Sequence, residues 1–103
     1  MSARRKIAFR SIAIIALRNA ENIVARWLPG GRREGREWVA INPTRSDAKK
    51  GSFKVNLNTG CWSDFATGAA GGDLISLAAY LHHLKQSEAA VRVGAMLGVD
   101  PYE

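Results

Sequence analysis

A chain of 103 residues with a single cysteine is long enough for one hydrophobic core, and the lone Cys61 excludes an internal disulfide. Fifteen Lys and Arg against nine Asp and Glu leave a formal net charge of +6, which favours polyanionic partners without selecting one. The start MSARRKIAFRSIAIIAL puts basic residues before an apolar run, but Ile12 to Leu17 is too short for a signal peptide or a span. Arg10 and Arg18 flank it and Arg26 follows, so it reads as a helix of a cytoplasmic protein.

From about Ala8 to Leu28, Phe9, Ile12, Ala16, Ala20, Ile23, Val24 and Trp27 recur at helical spacing, while Arg10, Arg18, Glu21, Asn22 and Arg26 fall mainly elsewhere. One long amphipathic helix is expected, weakest near Arg18-Asn19. Pro29-Gly30-Gly31 ends it, since proline cannot continue the backbone bonding and glycine accepts a left-handed turn.

The segments GRREGREWVAINP, GSFKVNL and CWSDF alternate and are rich in aromatic and β-branched residues, as half-buried strands are. A three-stranded antiparallel sheet is expected from about Glu37 to Phe65, with Asn58-Thr59-Gly60 as a hairpin turn and Phe53, Val55 and Phe65 in the core. NPTRSDAKKGS is polar and should be an exposed loop. Asp73 is placed to cap a helix from Leu74 to Leu84, and a last helix runs from Ser87 through Leu97 to Gly98, with Pro101 past its end. The fold class is α+β.

Four groups of residues are candidates for chemistry. His82 and His83 are adjacent on a helix, point about 100 degrees apart and have no ligand one turn away, so they read as a helix face rather than a metal site. Cys61 has no helix N-terminus or base to lower its thiol pKa and reads as a strand residue. Gly68, Gly71 and Gly72 precede a helix but match neither a Walker nor a dinucleotide fingerprint, so the bend is read as structural. The set Arg32, Arg33, Arg36, Trp38, Lys49, Lys50, Lys54 and Trp62 is more informative. It combines cations for phosphates with aromatic faces for bases, as single-strand binders do, although each tryptophan taken alone is better explained by the core, since a small sheet buries one face.

The residues WVAINPTRSDAKKGSFKVNLNTGCWSDFATGAAGGDLISLAAYL resemble the N-terminal zinc-ribbon domain of bacterial and phage DNA primases. That pattern has a strand, Cys-Pro-x-His, a polar loop, Pro-Ser-Phe, a hairpin, Cys-x-x-Cys, Gly-x-Gly-Gly and a helix. Laid on it, Asn42-Pro43-Thr44-Arg45 takes the place of the first ligand pair and Asp64-Phe65-Ala66-Thr67 that of the second. All four ligand positions depart from the family, and Asn42, Arg45, Asp64 and Thr67 cannot form a nitrogen and sulfur site for zinc. They could instead form a hydrogen-bonded knot, an Arg and Asp pair completed by Asn and Thr, which pins the two loops that zinc pins in the relatives. The metal-free pattern looks like the head of primase and helicase proteins of prophages and other mobile elements.

The resemblance implies a single domain over 1–103, with an N-terminal helix in 1–31, a ribbon-like core in 36–84 and a C-terminal helix and tail in 87–103. It implies binding of single-stranded template, DNA or RNA, with a helicase or other replication protein as a further partner and no membrane. No cofactor is expected and no catalysis by this chain alone, because priming needs clustered carboxylates for two metals and the acidic residues here are scattered. Catalytic parts would lie beyond Glu103 if the chain was cut from a longer one. The rival expectation is a protein-interaction module, docking on a replication partner or a second copy through the apolar N-terminal helix and its Ile14 and Ile15.

Overall fold

The computed structural model describes residues 5–46 and 51–103. The N-terminal segment forms two helices, α1 (Phe9–Arg18) and α2 (Ala20–Trp27), and not one long helix. The interruption is a single residue, Asn19, at φ −115 and ψ 24. Its side-chain amide donates back to the Ile15 carbonyl at 3.2 Å, a local bond that competes with the helix ladder. Ile12 and Ala16 of α1, and Ala20, Ile23 and Val24 of α2, still fall on the core side, so the apolar stripe survives the break.

The sheet is larger than the sequence pattern indicated. Among the described residues it has five antiparallel strands in meander order: β1 (Arg32–Glu34), β2 (Glu37–Ala40), β3 (Phe53–Asn56), β4 (Trp62–Asp64) and β5 (Ala70–Gly71). The two extra strands lie at the edges and are only three and two residues long. Neither is long enough to show the alternation by which a strand is read, and short strands are what sheet edges favour.

Helices α3 (Leu74–His82) and α4 (Gln86–Leu97) follow. Asp73 caps α3 as expected: its carboxylate accepts from the Ser76 N–H at 2.8 Å, and Ser76 completes a capping box. The helix stops at His83, which takes the left-handed conformation at φ 55. Helix α4 ends at Gly98, also left-handed. The C-terminal tail returns to the start of α1, where Ala8 N–H donates to the Pro101 carbonyl at 2.8 Å.

Period-two alternation gives the sheet one covered and one open face. Ala40, Phe53, Val55 and Trp62 are buried in one core cluster with Leu74, Leu77 and Ala78 of α3. The aromatic centre is a triad: Phe53 stacks on Trp62 with centroids 5.8 Å apart, and Tyr80 of α3 lies 4.8 Å from Trp62. Two tryptophans depend on glycines lacking a side chain. A Cβ on Gly31 would fall 2.4 Å from Trp38 Nε1, which donates to the Leu28 carbonyl at 3.1 Å. A Cβ on Gly71 would fall equally close to Trp62 Nε1, which donates to Ser76 Oγ at 2.9 Å. Among the described residues no helix is long and apolar enough to cross a membrane.

Candidate nucleic-acid interface

Strand pairing sorts the basic and aromatic residues before any side-chain contact is considered. Arg32 pairs with Val39, Val39 with Lys54, Lys54 with Ser63 and Ser63 with Ala70, so these five form one row on the face opposite the core, where Arg32 and Ala70 are exposed, Lys54 and Ser63 half-buried and Val39 buried. Lys54 sits at the centre of that row. Arg33 pairs with Trp38 and so belongs to the other face, where its guanidinium donates to Glu21 of α2 at 2.7 Å. Arg32 is itself paired to Glu34 at 2.7 Å, an exposed contact that water screens heavily. Arg36 is exposed in the turn between β1 and β2. Lys49 and Lys50 lie outside the described residues.

Both tryptophans proposed as base-stacking residues lie on the covered face. Trp62 is 5 % exposed, sandwiched in the aromatic triad with its N–H spent on Ser76, so it is a core residue and has no free face to offer a base. Trp38 is half-buried and anchors the end of α2 through Leu28. The reverse correction holds for Phe65, expected in the core. It is 72 % exposed, beyond the end of β4, and its N–H donates to the Ser52 carbonyl at 3.0 Å. Lys54 Nζ lies 5.6 Å from the centre of its ring, which fixes the phenyl on the open face beside the central cation. Phe65 was missed as a surface aromatic although parity could have found it: it is three residues from Trp62, an odd number, so one of the two had to face outward.

At the same end of the covered face, a polar cluster replaces the apolar core. Asn42 and Asp64 are fully buried. Asn42 Nδ2 donates to Asp64 Oδ2 at 2.7 Å and to the Tyr80 hydroxyl at 2.8 Å, using both amide hydrogens. Arg45 Nε donates to the same Asp64 oxygen at 3.2 Å, and the Ala66 N–H donates to the other at 2.9 Å. The Thr44 hydroxyl donates to Asn42 Oδ1 at 2.7 Å. No buried side-chain polar atom among the described residues lacks a partner. Burial alone would raise the Asp64 carboxyl, but the bonds from Asn42 and Ala66 and the Arg45 charge outweigh it and hold it below the ordinary aspartate value.

Three of the four residues at the ligand-pattern positions thus meet through their side chains. Thr67 does not join them. Only its backbone N–H reaches the cluster, donating to the Asp64 carbonyl at 3.3 Å, while its exposed hydroxyl accepts from Ala69 N–H. Thr44 and Tyr80, which sequence reasoning did not single out, take its place. These residues do not fit a zinc ion: they supply neither sulfur nor imidazole, and a guanidinium sits against the one carboxylate. Among the described residues no group of three or more His, Cys, Asp or Glu could hold a metal ion elsewhere. Cys61 is exposed, 3.8 Å from the Gly72 carbonyl, and His82 and His83 are exposed at the end of α3.

No protein family matches the chain and no curated protein does. Among solved structures, the crystal structure of the Aquifex aeolicus primase, comprising its zinc-binding and RNA polymerase domains, is similar with a TM-score of 0.74 and 18 % sequence identity. The alignment covers 92 % of this chain and 22 % of that one. What the two share is a fold, so this α+β domain has a primase-like architecture.

Proposed function

We propose that this domain binds single-stranded nucleic acid, DNA template foremost, as a non-catalytic module of a primase-type replication protein. The observation that carries the reading is the open sheet face, where Lys54 and the exposed Phe65 stand side by side in the arrangement that single-strand binders use for phosphate and base. The primase-like fold and the net charge of +6 support it. In this reading Lys54, Arg32 and Arg36 attract the backbone, Phe65 stacks on a base, and Lys49 and Lys50, which lie outside the described residues, add positive charge. Trp38 and Trp62 hold the face from behind.

The reading extends to a metal-free relative of the zinc-ribbon domain, working in the cytoplasm within a primase or helicase protein of a prophage or other mobile element. Asp64, with Asn42 and Arg45, ties together the loops that metal ties in the zinc-binding form. In this reading polymerisation, which requires two metal ions held by carboxylates, is left to other domains or other chains.

The test is fluorescence anisotropy of a labelled oligothymidine titrated with the protein at about 50 and 200 mM salt. Binding should weaken about tenfold or more across that range if three or so phosphates are contacted. It should fall further in Phe65→Ala. Absence of binding at the lower salt would remove the proposal.

A further inference from the structure

A groove runs along α1, and no residue of the Lys54 row lines it. Phe9, Ala13, Ile14 and Leu17 form one wall, and Thr59 and Gly60 of the β3–β4 turn with Leu74 of α3 form the other, around a hollow of about 380 Å³. Past Leu17 the same wall continues into a second hollow of about 410 Å³, closed by Leu57 and Asn58. Phe9 and Ile14 are 40 % and 45 % exposed, so two large apolar side chains stand in water along one surface.

The groove is also marked by charge. Arg10 lines its first half and Arg18 its second. Eight residues separate them, about 12 Å along the helix axis. Neither has an acidic partner among the described residues, in contrast to Arg5, Arg32, Arg33 and Arg45. Asp73 lines the groove too, but its carboxylate is turned onto the α3 N-terminus, where it accepts from Ser76. An apolar trough with an unneutralised cation toward each end is complementary to a helix with an apolar stripe and acidic flanks.

We infer that this groove docks an acidic amphipathic helix of a partner protein, a function separate from the proposed nucleic-acid face. Charge selects this occupant over the alternatives. A second copy carries the same +6 charge, and its own helices offer little acid: α1 and α3 have none in their first turns, Glu21 of α2 is held by Arg33, and Glu88 of α4 accepts from the Lys85 N–H at the start of its own helix. A nucleic-acid strand would lay phosphates over Ile14, Leu17 and Leu57, whereas an amphipathic helix covers that hydrocarbon and meets the arginines with carboxylates.

The test uses a synthetic helical peptide of about 15 residues with Leu on one stripe and Glu on both flanks, beside a matched peptide with Lys for Glu. The acidic peptide should bind the full chain with micromolar affinity, about tenfold or more tighter than the basic one. Methyl resonances of Ile14 and Leu17 should shift on titration. Ile14→Glu should abolish binding, and Arg10→Glu with Arg18→Glu should reverse the peptide preference, with the melting curves of both variants unchanged and Phe65→Ala leaving peptide binding intact. The proposal fails if the acidic peptide does not bind, if it binds Ile14→Glu equally well, or if the shifts fall instead at Lys54 and Phe65. It fails too if sedimentation shows a dimer of the free chain that Ile14→Glu dissociates, since a second copy would then own the groove.

Discussion

The two faces of the sheet are built from the same five strands and differ almost entirely in what they ask of an aromatic residue. On the covered face, Phe53 and Trp62 are buried between the strands and α3, with Tyr80 stacked against them. On the open face Phe65 stands in water beside Lys54. Trp62 and Phe65 belong to one short segment, and an odd spacing on extended backbone sends them to opposite sides. Residue type therefore says little about function here, and strand parity says much. The covered face should answer to substitution with lost stability, the open face with lost binding.

The sharpest way to break that division is Asp64→Ala, which removes the fully buried carboxylate on which Asn42 and Arg45 converge. Removing one member of a buried charged pair costs about 3–5 kcal/mol, so thermal denaturation should show a fall in Tm on the order of 10 °C or more for a chain of this size. An unchanged Tm would mean that the cluster does not tie the loops. Trp62→Ala should come next, at about 3–5 kcal/mol for a large core side chain. Gly71→Ala should cost about 1–3 kcal/mol, because its Cβ would press on Trp62 Nε1 and Ser76 Oγ. All three should weaken oligonucleotide binding only as far as they unfold the domain.

The same cluster sets a pH dependence. The folded Asp64 carboxyl titrates below its unfolded value, held there against the cost of burial by Asn42, Ala66 and Arg45. A lowered folded pKa contributes stability that is fully present above the unfolded value, about 4. It is lost as pH falls through the folded value, where the neutral acid no longer attracts Arg45. Acid denaturation followed by circular dichroism should therefore show a steep limb below about pH 4 in the wild type. In Asp64→Asn that limb should be shallower. An identical limb in both proteins would place the acid sensitivity elsewhere.

The sequence made some of this legible and hid the rest for identifiable reasons. The helix caps at Asp73 and Gly98 and the strands around Lys54 could be read because capping and alternation are local signals. The meeting of Asn42, Arg45 and Asp64 was expected only because the chain resembles a pattern in which ligands meet at those positions. Tyr80 joins them from 38 residues away from Asn42, a contact that no local signal announces. Strands β1 and β5 were missed because two or three residues carry no period. The break at Asn19 falls where the sequence had marked the helix as weakest, but it is one residue wide and leaves the apolar stripe intact, so periodicity alone did not divide the helix in two. Trp62 and Phe65 were exchanged because Trp62 was read with Lys54 as lying on adjacent strands, without asking which face each side chain takes.

The smallest effects bear most directly on the open face. Phe65→Ala should leave Tm within the scatter of a surface substitution, about 0.5 kcal/mol, because the ring buries little of itself. It should cost about 1–3 kcal/mol in oligonucleotide affinity, the value of one stacked base. Lys54→Ala should do less to affinity at any one salt concentration, but should lower the slope of log K against log salt by about 0.7, the share of one phosphate contact on a single strand. The two changes are then separable by kind. A stacking ring lost should shift the line without tilting it, and a lysine lost should tilt it. If Phe65→Ala tilts the line as well, the phenyl acts by holding the Lys54 ammonium in place through their contact at 5.6 Å, and the aromatic belongs to the cation's support and not to the base.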